Sequence, residues 1–289
     1  MQDTEKPLAR RAYAKINLGL DVVRRLENGY HEVRMVMQTV GISDLLTFAE
    51  AESGIRITTD CGELPVDENN LIYKAARLLA ETCGITKGVS IHLEKHIPIA
   101  AGMAGGSSDA AATLLGLREL FSLELTDEQL RELGVKVGAD VPYCIMGGTA
   151  LAEGIGEVLT PLAPAPRCSI LVAKPGIQVS TRYVYEHLDA SEAWEHPDID
   201  GMCAAIAAGD LAGVTDRLGN VLERVTIPAY PVIARIKQEM LDMGAKGSLM
   251  SGSGPTVFGI YESREQAQTA CDQLAQKGLA EQLFVTEFI

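Results

Sequence analysis

Residues 13–22 alternate strictly. Ala14, Ile16, Leu18, Leu20 and Val22 interleave with Tyr13, Lys15, Asn17, Gly19 and Asp21, the two-residue period of a strand with one face on a core. That alternation sets Lys15 and Asn17 side by side on one face. Glu27-Asn28-Gly29 is a turn signal, and an extended apolar segment resumes over residues 33–42. Residues 55–58 and 89–93 read as two further strands. Between them, Asn70 to Cys83 shows helical spacing in Leu71, Ala75, Leu78 and Leu79, with Gly84 as the stop.

Further along, Thr126-Asp127-Glu128 marks a helix start and Gly147-Gly148 a turn. Pro161, Pro164 and Pro166 exclude a helix or a central strand, which makes this stretch the best domain boundary. We therefore expect one domain over residues 1–163 and a second over 164–289. The second half predicts strands at 170–173, 247–250, 256–261 and 283–288, and helices at 181–188, 202–208, 231–243 and 264–277. Strands and helices mix without a regular β-α-β series, so the expected class is α+β.

Composition narrows the function. The 289 residues are 47% apolar and 22% charged, the balance of an ordinary soluble globular protein. A net charge of −14 disfavours a nucleic-acid partner, which calls for a basic stripe. Six scattered cysteines with no C-x-x-C predict free thiols in a reducing compartment rather than disulfides or a zinc site. Met1–Lys6 has no apolar core, and no run of eighteen apolar residues occurs, so the expectation is a cytoplasmic protein without a membrane partner.

The candidate chemistry centres on Pro98-Ile99-Ala100-Ala101-Gly102-Met103-Ala104-Gly105-Gly106-Ser107-Ser108, which leads into an apolar helix from Ala110. Small residues bare the backbone, and the helix points its unsatisfied N–H groups at the same spot, which suits a phosphate. Ser107, Ser108 and Asp109 are also good capping types, so a plain capped helix is the competing reading. No Lys follows Gly105-Gly106, so the loop is not a Walker A motif. The spacing of a dinucleotide fold is missing, as are the H-R-D and D-F-G of protein kinases.

Phosphoryl transfer also needs a cation and a group to orient or deprotonate the nucleophile. Lys15, on a half-buried strand, is the candidate cation, against the commoner solvated lysine. Asp140, after Gly138-Ala139 and before Val141-Pro142, is either a base or a helix cap. Ser251-Gly252-Ser253-Gly254 is either a tight turn or a backbone nest over a substrate. Tyr30-His31, both expected to be exposed, could stack on a planar base or simply cover the core.

Together these motifs resemble the GHMP kinase superfamily. Ala14-Lys15-Ile16-Asn17-Leu18, Pro98 to Ser108 with Asp109-Ala110-Ala111, and Ser251-Gly252-Ser253-Gly254 match its three signatures in order. Gly29-Tyr30-His31-Glu32, Asn69-Asn70-Leu71-Ile72 and Gly138-Ala139-Asp140-Val141-Pro142 extend the likeness over roughly residues 11 to 260. The resemblance implies an N-terminal domain of the ribosomal-protein S5 type, a ferredoxin-like C-terminal domain and an active site in the cleft between them. It implies transfer of the γ-phosphoryl group of ATP, with Mg2+, to the tertiary 2-hydroxyl of a cytidine-diphosphate-linked methylerythritol on the non-mevalonate route to isoprenoid precursors. Under it Asp140 is the base, Lys15 holds that base and the hydroxyl, and Pro98 to Ser108 form the ATP loop. Asn17 and Gly252 touch the substrate, Tyr30 and His31 hold the cytosine, and Tyr185 is a second stacking face. No metal ligand follows from it. A homoserine- or mevalonate-type kinase and a catalytically inactive nucleotide-binding regulator are the alternatives, and the expected state is a monomer or weak homodimer.

Overall fold

A computed structural model describes residues 8–188 and 195–289; Met1–Lys6, read above as lacking a leader core, lie outside the described residues. In chain order, β1 (Leu8–Arg25), β2 (His31–Ala51) and β3 (Ile55–Thr59) precede α1 (Leu71–Cys83) and β4 (Gly88–Glu94). Then follow α2 (Gly105–Leu120), α3 (Asp127–Val135), α4 (Val141–Met146), β5 (Thr149–Glu153) and β6 (Val158–Pro161). The remainder comprises β7 (Ser169–Lys174), α5 (Thr181–His187), α6 (Ile199–Ala207), α7 (Leu211–Thr215), β8 (Gly219–Asn220) and α8 (Glu223–Ala229). It ends with α9 (Val232–Asp242), β9 (Gly247–Met250), β10 (Val257–Tyr261), α10 (Arg264–Lys277) and β11 (Gln282–Glu287).

The described chain divides into two compact units. One holds the residues up to Ala14, Ser43–Ile97 and Ala104–Met146; the other holds Lys15–Ile42, Pro98–Met103 and the described part of Gly147–Ile289. Within the first, the second half of β2 pairs antiparallel with β4, and β4 pairs parallel with β3. Helices α1 and α2 cover this sheet with Ile72, Ala75, Leu79, Leu114 and Leu117 over Phe48, Ile91 and Leu93. Helix α1 runs from cap to cap as its sequence predicts: Asn70 accepts the Ile72 N–H, and Gly84 closes it in the left-handed region (φ 65°). Helix α3 likewise starts on a reciprocal Thr126–Gln129 capping box.

In the other unit β7, β9, β10 and β11 form an antiparallel sheet in the order β11-β7-β10-β9. Read with α10 and the helices preceding β9, this is the split β-α-β arrangement of a ferredoxin-like domain, as the resemblance implied. Its core is Ile170, Val172, Phe258 and Ile260, with Ile236 and Met240 of α9 and Ala270 and Leu274 of α10. The first half of β2 pairs with β5, and β1 pairs parallel with the short β8. The mixed α and β content is that of the expected class.

Two local expectations change. Helix α2 begins five residues before Ala110, so Ser107, Ser108 and Asp109 lie inside it; its cap is Ala104, with no side-chain hydrogen bond. The first strand is buried on both faces rather than one, since Lys15 is 5% exposed and Asn17 fully buried.

Candidate active site

In the second unit three distant segments meet. The Lys15 ammonium donates to Asn17 Oδ1 at 2.8 Å, and Asn17 Nδ2 lies 3.5 Å from the Met35 sulfur. The Lys15 backbone N–H donates to the Met103 carbonyl at 3.1 Å, which ties β1 to the loop at Pro98–Met103. Ser251 Oγ donates to the Gly102 carbonyl at 2.9 Å. A Cβ on Gly102 would stand 2.3 Å from the Ser251 carbonyl oxygen, so only glycine allows this approach, and its φ of +71° favours glycine again. A Cβ on Gly252 would lie 3.7 Å from Asn17 Oδ1. Lys15, Asn17, Gly102, Met103 and Gly252 are thus brought together. A buried ammonium requires partners, and here the neighbouring Asn is one of them.

The turn at 251–254 is braced by residues that the sequence did not flag. Asn220 Nδ2 donates to the carbonyls of Met250 and Gly252, both at 2.8 Å. Thr226 Oγ1 donates to the Ser253 carbonyl at 3.2 Å, and the Thr181 and Ser253 hydroxyls are 2.8 Å apart. Asn220 sits in a two-residue strand, too short to leave a periodic trace in the sequence.

His31 and Tyr30 part company. Tyr30 is 59% exposed beside the Asn28-Gly29 turn, whereas His31 is 9% exposed, which corrects the expectation that both are exposed. Burial, and secondly the charge of Arg25, lower the His31 pKa, so its ring is neutral at pH 7 and suited to stacking. The His31 and Tyr185 rings lie 5.2 Å apart at 36°, in direct contact.

The chain leaves Pro98–Met103 of the second unit and enters α2 of the first through alternating left-handed residues. Ala100 (φ 51°), Gly102 (φ 71°) and Ala104 (φ 57°) have positive φ, whereas Gly105 and Gly106 do not. Two alanines held there carry strain of the kind that gathers at functional sites. Because no side chain caps α2, the amides of Gly105, Gly106 and Ser107 are oriented for an anion. Ser108 is committed elsewhere: its hydroxyl donates to the Tyr13 carbonyl at 2.7 Å. Asp140 stands just before α4, its carbonyl accepting the Cys144 N–H at 3.1 Å. A Cβ on Gly138 would lie 3.7 Å from Ser107 Oγ, so the Gly138–Asp140 segment runs past the start of α2.

All six cysteines are free thiols. Among the described residues no group of three or more His, Cys, Asp or Glu could hold a metal ion, and no helix is long and apolar enough to cross a membrane.

Comparison with known proteins identifies the family. Residues 70–148 match the family of GHMP kinases N terminal domains, and residues 202–280 match GHMP kinases C terminal. A 4-diphosphocytidyl-2-C-methyl-D-erythritol kinase of Lachnospira eligens is 57% identical over 279 residues, 96% of either chain. A crystal structure of 4-(cytidine 5'-diphospho)-2C-methyl-D-erythritol kinase superposes with a TM-score of 0.83 at 35% identity, over 97% of this chain and 99% of that one. A homoserine kinase from Cytophaga hutchinsonii has a TM-score of 0.79 at 22% identity, over 99% of this chain and 96% of that one, and shares the fold.

Proposed function

Because the chain belongs to the GHMP kinase family, among the 4-diphosphocytidyl-2-C-methyl-D-erythritol kinases, we propose that it transfers the γ-phosphoryl group of ATP to the 2-hydroxyl of 4-diphosphocytidyl-2-C-methyl-D-erythritol. One observation carries the reading most. Lys15–Asn17, Gly102–Met103 and Ser251–Gly252, far apart in sequence, are joined by hydrogen bonds beside the buried Lys15–Asn17 pair.

In this reading the ATP phosphates rest on the Pro98–Ser108 loop and the open start of α2, and magnesium arrives as part of the nucleotide. Asp140 takes the proton of the 2-hydroxyl as its oxygen attacks the γ-phosphorus, and ADP leaves. Lys15 stabilises the developing alkoxide charge, with Asn17 holding the ammonium in place. Asn17 and Gly252 border the erythritol end, and Tyr30, His31 and Tyr185 take the cytosine. We read the protein as cytoplasmic, a monomer or weak homodimer, with small molecules and no nucleic acid as its partners.

The test is to incubate the purified protein with MgATP and the cytidine-linked methylerythritol, and to identify the 2-phosphate by mass spectrometry and phosphorus NMR. Homoserine, mevalonate and the uridine-linked analogue serve as competing acceptors. Product from the cytidine substrate is expected, with turnover in Asp140→Asn lower by about a hundred- to ten-thousand-fold and both substrates still bound. Phosphorylation of homoserine or mevalonate instead would overturn the substrate assignment, and nucleotide binding without turnover would favour a regulator.

A further inference from the structure

Beneath the start of α2 lies a buried group of charges that the reaction above leaves unused. The side chain of Lys95, in the link after β4, is 5% exposed, that of Asp44 on β2 is 0% exposed and that of Asp109 on α2 is 4% exposed. Lys95 Nζ donates to Asp44 Oδ2 and, at 3.0 Å, to Asp109 Oδ2. The other Asp44 oxygen accepts the backbone N–H groups of His96 at 2.6 Å and Ile97 at 2.7 Å. Asp109 Oδ1 is buried without a hydrogen-bond partner. One ammonium therefore serves two carboxyl groups in a site closed to water. Burial, reinforced by Asp44 and opposed by Lys95, pushes the Asp109 carboxyl up to about 8.

Position gives the cluster its consequence. Asp109 is the fifth residue of α2. A Cβ on Gly105, the first residue, would stand 3.0 Å from Lys95 Nζ, so the ammonium lies directly under the helix end. The charges facing Asp109 are those of Lys95 and Asp44. Farther out, Asp60 accepts the Lys95 backbone N–H, with His96 beside it, and exposed Arg11 of β1 donates to Ser43 Oγ. Helix α1 turns Ile72, Ala75 and Ala76 inward and leaves Lys74 and Arg77 exposed.

We propose that Lys95, Asp44 and Asp109 form a positioning cluster that holds one proton so that the ground beneath the α2 terminus is electrically neutral when ATP phosphate binds there. With the proton in place, the ammonium balances one carboxylate, and the helix end presents its full positive potential to the nucleotide. Losing the proton leaves a net negative charge under an anion-binding terminus and weakens binding. Reciprocally, nucleotide binding raises the proton affinity of the cluster, so the protein takes up a proton on binding in alkaline solution. This inference rests on reading the α2 terminus as the ATP-phosphate cradle.

Calorimetric titration of the full chain with a non-hydrolysable ATP analogue, from pH 6.5 to 9.5 and in two buffers of different ionisation enthalpy, tests it. Wild-type affinity is expected to fall about tenfold across that range, with proton uptake near pH 8. Asp109→Asn, which is neutral at every pH, is expected to vary by no more than about twofold, with no uptake. Lys95→Met should bind weakly throughout the range, and the Asp109→Asn comparison decides the matter if that variant does not fold. An Asp109→Asn slope equal to the wild-type slope, or equal proton uptake in the two proteins, overturns the proposal. If Gly106→Val binds the analogue as tightly as wild type, the cradle reading fails and takes this proposal with it. Loss of binding in Gly106→Val with an unaltered Asp109→Asn slope leaves the cradle standing and removes only the proton.

Discussion

Two glycine-rich stretches of similar composition, Gly102–Ser108 and Ser251–Gly254, do opposite things with their backbones. At the start of α2 the amides carry no side-chain cap and sit over a buried ammonium. At 251–254 the carbonyls of Met250, Gly252 and Ser253 are all taken, by Asn220 and Thr226. The start of α2 leaves its first amides without a side-chain cap, whereas the 251–254 turn spends its polar groups on holding itself and Gly102 in place. A run of small residues therefore says only that a backbone approaches something closely. Whether that something is a ligand or the protein itself depends on which hydrogen bonds are already made.

That contrast can be broken from either side. Gly102→Ala should damage the braced side most, because its Cβ would lie 2.3 Å from the Ser251 carbonyl oxygen at a φ of +71°. Strain and overpacking together cost about 3–5 kcal/mol, readable as a lower midpoint in urea. A midpoint equal to wild type would mean that the two segments do not touch in solution.

Gly106→Val should instead leave stability nearly intact, because a Cβ there meets only Leu71 Cδ1, at an ordinary 3.4 Å. It should strongly weaken binding of an ATP analogue, since the added side chain would stand where the helix-start amides must meet the phosphate. Unchanged affinity by calorimetry would reduce the α2 start to a helix end and nothing more.

Ser251→Ala deletes the donor to the Gly102 carbonyl and is expected to cost about 1–2 kcal/mol of stability. Turnover at saturating ATP should fall less than the affinity for the acceptor, because Gly252 beside it borders Asn17. A loss confined to ATP affinity would shift this turn to the nucleotide side.

The smallest effect is expected from Ala104→Gly. Relieving an alanine at φ 57° should raise stability by about 0.5–1 kcal/mol while loosening the approach to α2. Higher stability with slightly weaker analogue binding would identify the strain as preorganisation; lower stability would show that Ala104 is not strained.

Local signals carried much of this molecule. The alternation over residues 14–22, the cap-to-cap reading of Asn70–Gly84 and the Thr126 start each depend on contacts within a few residues. The motif residues Lys15 and Asn17 were legible as neighbours because a strand's period alone puts them on one face. The short α7, β8 and α8 were not, since elements of two to seven residues leave no period to count. Tertiary structure alone decided which of Tyr30 and His31 is buried, that α2 begins at Gly105, and that Lys95 is shared between Asp44 and Asp109. Burial, capping by absence and shared charge are set by partners up to dozens of residues away, and composition around a residue says little about a neighbour that only folding delivers.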